Sequence, residues 1–183
     1  MKKILYFITV LSILSCQCNH DESGRYLIDD SDKAYLINYM SDIKYVDQNG
    51  VEIIANFWDP RFHLEQSDVG MNACSYDTTE YGNQEINVGN YNGTISLHHY
   101  PYLQIMLEDG FSQNYLKIMN QIDINLNHSL QNIAINGMEF QNVLVLENTN
   151  KHGAWSINKI LYSKENGIEF ILFADDTWYK RVE

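Results

Sequence analysis

The sequence predicts a mainly β fold: an antiparallel curved sheet, sandwich or open barrel built from hairpins, with at most one or two short helices. Apolar residues recur at every second position through most of the chain after residue 26, the period of a strand with one buried face. Clusters of Asn, Asp and Gly separate these runs, and Asn136-Gly137 is the dipeptide most typical of a two-residue hairpin turn. Long helical patterns do not alternate with the strands, so a parallel α/β sheet is not expected.

The first hairpin is predicted between residues 35 and 58. Its first strand carries apolar residues on one face, at Tyr35, Ile37, Tyr39, Ile43 and Tyr45. Asp47-Gln48-Asn49-Gly50 supplies the turn, and residues 51–58 alternate again. Pro60 ends the second strand, because proline cannot donate a main-chain hydrogen bond to a neighbouring strand.

The later strands follow from the same period and from the turns between them. They are predicted at residues 84–88, 94–100, 102–107, 122–126, 133–135, 138–146, 154–162, 168–174 and 177–182. Residues 113–120 fit a helical turn and a strand about equally well. Because no linker or repeat of fixed period divides residues 26–183, we expect them to form a single β-rich domain.

Residues 61–83 show no sustained period and are predicted to form a long loop. A loop of this length is uncommon in a compact domain unless it has a function. We therefore take Trp58, His63, Glu65 and Tyr76 as candidate binding residues, since exposed aromatic rings can stack on sugars or line a partner surface. The alternative, which is the commoner use of aromatic residues in β proteins, is that the rings fill the core.

His63 and Glu65 share one face if their segment is extended, and Asp59 is close in sequence. Such side chains can hold a metal or act as acid and base, but exposed polar side chains explain them more simply. The chain has no Gly-x-Ser-x-Gly elbow, no phosphate-binding Gly-x-x-x-x-Gly-Lys-Ser/Thr loop and no His-Glu-x-x-His motif. We therefore expect no metal, no cofactor and no enzymatic activity.

Residues 1–15 have the pattern of a secretory signal peptide. Lys2 and Lys3 precede an apolar run of eleven residues, and the small residue Ser15 ends it. Eleven residues of helix span about 17 Å, roughly half of a ~30 Å hydrocarbon core, so a permanent membrane-spanning helix is not expected.

Ile13-Leu14-Ser15-Cys16 resembles the lipobox of bacterial lipoproteins, in which the signal is cut before a cysteine that receives lipid. The resemblance implies that Cys16 begins the mature chain and carries acyl groups such as palmitate, and that residues 16–25 form an acylated tether. Two or more acyl chains hold a protein firmly on a membrane, whereas one binds only marginally. The alternative is simple secretion, with ordinary thiols at Cys16 and Cys18.

The chain is acidic, with 12 basic and 24 acidic side chains and a formal charge of −12. Removal of residues 1–15 takes away Lys2 and Lys3, leaving ten basic side chains against 24 acidic ones and a charge of −14. Such a surface argues against nucleic acid as a partner and does not attract anionic headgroups, so the lipid must supply the membrane attachment.

Two further patterns resemble lipoproteins of the Bacteroidota. An acidic stretch, Asp21-Glu22, follows the lipobox cysteine, similar to signals for display on the cell surface. The C-terminal strands around Lys164-Glu165-Asn166-Gly167-Ile168 and Asp176-Thr177-Trp178-Tyr179 resemble those of small uncharacterised lipoproteins of this group. The resemblance implies a lipid-anchored outer-membrane protein of the bacterial cell envelope with a β-rich domain, and it transfers no catalytic residue.

Two modifications remain open. Cys18 and Cys74 form an even pair that can become a disulfide in an oxidising compartment, and two free thiols or a modified Cys18 fit almost as well. Asp77-Thr78-Thr79 resembles an O-glycosylation sequon of the same bacterial group, which makes Thr78 the candidate site.

Three functional hypotheses follow. The first is a non-enzymatic envelope lipoprotein that binds a protein, a glycan or an apolar ligand, or has a structural role. The second is a carrier whose concave sheet holds a lipid or lipoprotein, which requires a deep pocket lined by Leu, Ile, Phe and Met. The third is an enzyme of unrecognised type, which requires polar groups converging in one cleft with shifted pKa values. We prefer the first, because the sequence contains none of the catalytic motifs considered above.

Overall fold

A computed structural model describes residues 21–38, 40–69, 75–99, 103–109, 118–120, 130–148 and 157–182. Within these ranges one short helix, α1 (Asp30–Lys33), accompanies thirteen strands. The strands are β1 (Asp21–Tyr26), β2 (Met40–Asp47), β3 (Glu52–Phe57), β4 (Arg61–Asp68), β5 (Ser75–Val88), β6 (Tyr91–His98), β7 (Leu103–Asp109), β8 (Ile118–Asn120), β9 (Leu130–Ile135), β10 (Met138–Glu147), β11 (Ile157–Ser163), β12 (Gly167–Phe173) and β13 (Trp178–Val182). The prediction of a mainly β fold with very little helix is confirmed.

The strands form one sheet in the order β8-β7-β6-β5-β3-β2-β13-β12-β11-β10-β9, and β1 and β4 both pair with β5. Among the described strands the two ends of this order, β8 and β9, do not pair with each other, so the sheet is open. Every neighbouring pair in the order just given is antiparallel, as predicted. Outside that order, β1 runs parallel to β5 from the pair Asp21 and Ser75 to the pair Tyr26 and Thr79, which the sequence does not predict.

The turn residues act as the sequence predicts. Asn136 and Gly137 have φ angles of 50° and 76°, the left-handed conformations that a tight turn between β9 and β10 requires. Between β2 and β3, the Asp47 carboxylate accepts hydrogen bonds from the main-chain amides of Asn49 and Val51, both at 2.8 Å. The β9–β10 turn is therefore set by backbone conformation, and the β2–β3 turn is fixed by local hydrogen bonds to Asp47.

These amide hydrogen bonds, chiefly the one from Val51, hold the pKa of Asp47 below its usual value. Because the folded-state pKa is lower than the unfolded one, the contribution to stability is present above about pH 4 and is lost as the pH falls through the folded-state value. We expect Asp47→Asn to abolish this acid-dependent step. Urea denaturation of the natural chain and of Asp47→Asn between pH 5 and pH 2 measures this step. If the free energies of unfolding of the two proteins fell in parallel over that pH range, Asp47 would not be its source.

The residue contacts divide the chain into two units, Met1–Tyr26 with Leu64–Thr79, and Leu27–His63 with Glu80–Glu183. In the described part of the first unit, β1 lies along the start of β5. The Ser23 hydroxyl donates a hydrogen bond of 3.2 Å to the main-chain oxygen of Tyr76. The Val69 amide donates to the oxygen of Ser75 at 2.8 Å, which joins the ends of β4 and β5.

The second unit contains the main core. Apolar side chains from both ends of the strand order meet in one cluster, which includes Phe57 of β3, Leu97 of β6, Leu144 of β10 and Tyr162 of β11. A smaller cluster uses the opposite face of the last strands, at Phe140, Val143, Leu161 and Phe170. The two clusters share strands because neighbouring residues point to opposite faces.

Two tyrosines carry their hydroxyl groups into the core and satisfy them on main-chain oxygens. Tyr45 donates to the oxygen of Ile168, and Tyr162 donates to the oxygen of Tyr35. Burial raises the pKa of both phenols above the usual range, because the charged form would lose its hydration. These bonds join residues more than 120 positions apart in sequence.

Three predictions about local structure are corrected. Residues 61–83 are not a loop, since β4 and the first part of β5 occupy most of the described positions. Of the residues 16–25 predicted to form a tether, those from Asp21 onward belong to β1, and residues 16–20 lie outside the described residues. The strand predicted from residue 35 begins at Met40, and Tyr35, Leu36 and Ile37 are all buried, which no single strand face permits.

Some predictions fall outside the described residues. They are the signal peptide, Cys16, Cys18, Cys74, the strand at 122–126 and most of the 113–120 segment. The single-domain boundaries also stay a prediction. In the part of the chain that is described, no helix has the length and apolar character needed to cross a membrane.

Candidate functional site

The second unit has a cleft of about 250 Å³ at the connection between β3 and β4, beside β5 and β6. We call it the Trp58 cleft. Its lining combines one indole ring with six polar side chains, from Trp58, Asp59, Arg61, His63, Asn83, Glu85 and Thr94. A concave surface with an aromatic ring and a few directed polar groups is the usual form of a small-ligand site.

Strand register explains why residues far apart in sequence meet here. The Trp58 amide donates to the oxygen of Glu85 at 3.0 Å, and Glu85 pairs with Thr94 across β5 and β6. Asn83 lies two positions from Glu85 on β5 and therefore points to the same face. The row Trp58, Glu85 and Thr94, with Asn83 beside it, is thus built by main-chain pairing.

Trp58 is 42% exposed, whereas its neighbour Phe57 is completely buried. The backbone beneath the indole is held by Gln84, whose amide nitrogen donates to the oxygen of Trp58 at 2.7 Å and to the oxygen of Ile37. Gln84 is itself completely buried. An exposed indole on a fixed backbone loses little freedom when a ligand covers it.

The polar groups of the cleft have defined orientations. The Ser96 hydroxyl donates to the side-chain oxygen of Asn83 at 2.8 Å, so the Asn83 amide nitrogen is directed elsewhere, and none of the described residues accepts from it. A guanidinium nitrogen of Arg61 lies 3.9 Å from a carboxylate oxygen of Glu85. Both side chains are mostly exposed, at 81% and 64%, so this ion pair is weak and its groups are open to a ligand.

A row of rings continues from the cleft. His63 stacks on Tyr81, with 5.8 Å between the ring centroids, and Tyr81 meets His98 edge to face at 5.0 Å. Tyr81 and His98 are a cross-strand pair of β5 and β6. Because His63 also lines the cleft, the rings extend its surface along the same face of the sheet.

Of the four candidate binding residues, the cleft contains Trp58 and His63. Glu65 and Tyr76 belong to the first unit, where Glu65 is exposed on β4 and Tyr76 is half-buried on β5. Thr78 lies on β5 with 3% exposure and a buried hydroxyl, so sugar transfer to it requires a chain that is still unfolded there. Its glycosylation stays a prediction.

Four residues of the cleft are not foreseen from sequence: Arg61, Asn83, Glu85 and Thr94. Nothing in their local sequence marks them. Asn83, Glu85 and Thr94 are brought together by the pairing of β5 with β6, and Arg61 reaches Glu85 from β4. Asp59, His63 and Glu65 are the residues that the sequence offers as a metal or acid–base group. Within the described ranges, no group of three or more His, Cys, Asp or Glu side chains is arranged to hold a metal ion.

A second concavity of about 480 Å³ lies elsewhere in the second unit. Leu36, Ile37, Met40 and Phe62 line it, which are residue types that the carrier hypothesis expects. Two lysines occupy its rim. Lys33 pairs with Glu80 at 2.9 Å, and Lys164 donates to the oxygen of Ser31 at 2.8 Å, so both ammonium groups stabilise the segment around α1.

Fold and site together define a class of protein: an antiparallel β-sheet protein with a solvent-exposed cleft that combines an aromatic ring and polar side chains. No protein-family model matches the chain, and no curated protein or solved structure does. The function is therefore inferred from the geometry of this cleft and from the N-terminal sequence.

Proposed function

We propose that the protein is a lipid-anchored, non-enzymatic binding module of the bacterial cell envelope, and that the Trp58 cleft is its ligand site. The observation that carries the proposal is the exposed indole of Trp58, fixed by buried Gln84 among polar side chains that face solvent. Large exposed apolar groups on a rigid surface, surrounded by polar groups, are typical of binding sites.

The N-terminal sequence supports the anchoring. Residues 1–15 have the features of a signal peptide, and Ile13-Leu14-Ser15-Cys16 places a cysteine where a lipoprotein is acylated. The acidic composition gives no electrostatic attraction to anionic lipid headgroups, so an acyl anchor is the means of attachment that remains.

The exposure of the cleft supports binding rather than catalysis. Catalytic groups act most strongly where water is excluded, because electrostatic interactions are then stronger. The carboxylate of Glu85 and the guanidinium of Arg61 are instead largely hydrated. Their arrangement suits hydrogen bonding to a ligand that lies across the surface.

The test is co-sedimentation of the detergent-solubilised full-length protein with bacterial envelope material that stays insoluble after detergent extraction. We expect Trp58→Ala to weaken binding about 30-fold, which corresponds to the ~2 kcal/mol typical of a central interface residue. Ile54→Ala is the matched control, because Ile54 is a 38% exposed apolar residue of β3 outside the cleft. Equal binding of the two variants would contradict the proposal.

A further inference from the structure

From the chemistry of the Trp58 cleft we infer that its ligand is an uncharged glycan whose sugar residues carry adjacent hydroxyl groups. This inference rests on the proposed function and names the class of ligand for the same site. It has three independent supports: the indole, the pairing of one donor with one acceptor, and the sign of the charge.

The first support is the indole of Trp58. One face of a sugar ring is made of C–H groups, which pack against the apolar face of an aromatic ring while the hydroxyl groups at the ring edge stay hydrogen-bonded. Trp58 is 42% exposed and its backbone is fixed, so the indole is available as such a platform.

The second support is the arrangement of Asn83 and Glu85. A hydroxyl group both donates and accepts hydrogen bonds, so a pair of hydroxyl groups is best met by one donor and one acceptor. The Asn83 amide donates, because its oxygen is already used by Ser96. The Glu85 carboxylate accepts. The two residues are two positions apart on β5, about 7 Å along the strand, which leaves room for the oxygen atoms of two hydroxyl groups between their side chains.

The third support is charge. The cleft contains the carboxylates of Asp59 and Glu85 but one guanidinium, that of Arg61, and the whole chain has a formal charge of −12. A glycan that carries carboxylate, sulfate or phosphate groups is repelled by this surface, whereas an uncharged one is not.

The rings of His63, Tyr81 and His98 extend the site beyond one sugar. They follow one another across β4, β5 and β6 and start at the cleft itself. A second or third residue of a glycan chain can pack on this surface while the first remains on Trp58. An oligosaccharide is therefore expected to bind more tightly than a single sugar.

The first experiment can be carried out before the ligand is identified. Periodate cleaves the bond between carbons that carry adjacent hydroxyl groups, so envelope material treated with periodate and then borohydride should lose at least nine-tenths of its Trp58-dependent binding. Digestion with proteinase K should leave that binding unchanged. The opposite pattern, resistance to periodate with loss on proteolysis, would identify a protein ligand and overturn the inference, although the proposed binding function would stand.

The second experiment uses defined probes, the neutral hexasaccharides of glucose and mannose and the anionic hexamer of galacturonic acid. Calorimetry with the full-length protein should show binding of a neutral hexamer, about tenfold weakening of that binding by Asn83→Leu, and binding of the galacturonate that is at least tenfold weaker than that of the neutral hexamer. Glu85→Gln keeps an acceptor oxygen but removes a negative charge, and it should raise the affinity for galacturonate at least fivefold. Galacturonate binding as tight as that of the neutral hexamers, or failure of every neutral hexamer, would overturn the inference.

Discussion

Replacing Cys16 by serine is expected to abolish acylation and to leave the protein soluble or unprocessed. The sulfur of Cys16 is the atom that would carry the lipid, and the Cys16→Ser variant lacks it. Each buried methylene contributes about 0.8 kcal/mol to membrane binding, so loss of two or three acyl chains removes the attachment entirely. Metabolic labelling with palmitate and fractionation of membranes measure both effects.

The neighbouring cysteine provides the control. Cys18 lies two residues further on, after Gln17, and Cys18→Ser should take up palmitate as the natural chain does. Labelling lost in Cys18→Ser and kept in Cys16→Ser would move the anchor to Cys18. A natural chain that takes up no palmitate would contradict the lipoprotein proposal itself.

Phe57→Ala is expected to be the most destabilising single change at the cleft-forming strands. Phe57 is completely buried in the main core of the second unit. Removal of a large buried aromatic side chain costs about 3–5 kcal/mol, from lost burial and from the cavity left behind. The free energy of unfolding of a natural domain is about 5–15 kcal/mol, so the Phe57→Ala variant loses a large part of its stability. The midpoint of urea denaturation at unchanged slope measures the loss.

Trp58→Ala is the matched comparison, since the two residues are adjacent and point to opposite faces. We expect it to change the free energy of unfolding by about 0.5 kcal/mol or less, as for surface positions in general. A large loss in Trp58→Ala together with a small one in Phe57→Ala would show that the faces are assigned the wrong way round. The proposal requires that Phe57→Ala lowers the stability of the protein and that Trp58→Ala lowers ligand binding while leaving stability nearly unchanged.

The sequence predicts those strands whose buried face is apolar. The pair β2 and β3 is found because apolar and aromatic residues alternate with polar ones. β10, β11 and β12 are found because short runs rich in Val, Ile, Leu and Phe are bounded by turn residues. The first part of β5 escapes prediction, because its buried residues are Thr78, Thr79 and Glu80. Glu80 is stabilised by the main-chain amide of Ile28 and by Lys33, contacts that no local pattern reveals.

β4 and β1 escape prediction for a related reason. All eight residues of β4 are exposed, so this strand has no buried face to produce a period. Strand β1 has the sequence Asp-Glu-Ser-Gly-Arg-Tyr, and it is held on β5 by main-chain pairing and by the hydroxyl of Ser23 rather than by apolar side chains. Backbone hydrogen bonds need no particular side chain, so the pattern of apolar residues does not predict such strands.

The candidate site is half predictable from sequence. Trp58 and His63 stand out because aromatic and imidazole rings near a strand end suggest a surface role, and both line the cleft. Asn83 and Glu85 could not be predicted, because their importance depends on which strands flank β5. The role of Gln84 could not be predicted either, because its buried amide nitrogen fixes Trp58 by donating hydrogen bonds to the main-chain oxygens of Ile37 and Trp58.

The position of β13 has a consequence for the order in which the sheet assembles. β13 pairs with β2 on one side and with β12 on the other, so it joins strands from the two halves of the sequence. In the strand order given above, the pairing of β13 with β2 is the main-chain connection between β2–β8 and β9–β12. Pairing between segments so distant in sequence is slow to form. We therefore expect the two halves of the sheet to be joined late in folding, when the five residues Trp178–Val182 pair with β2.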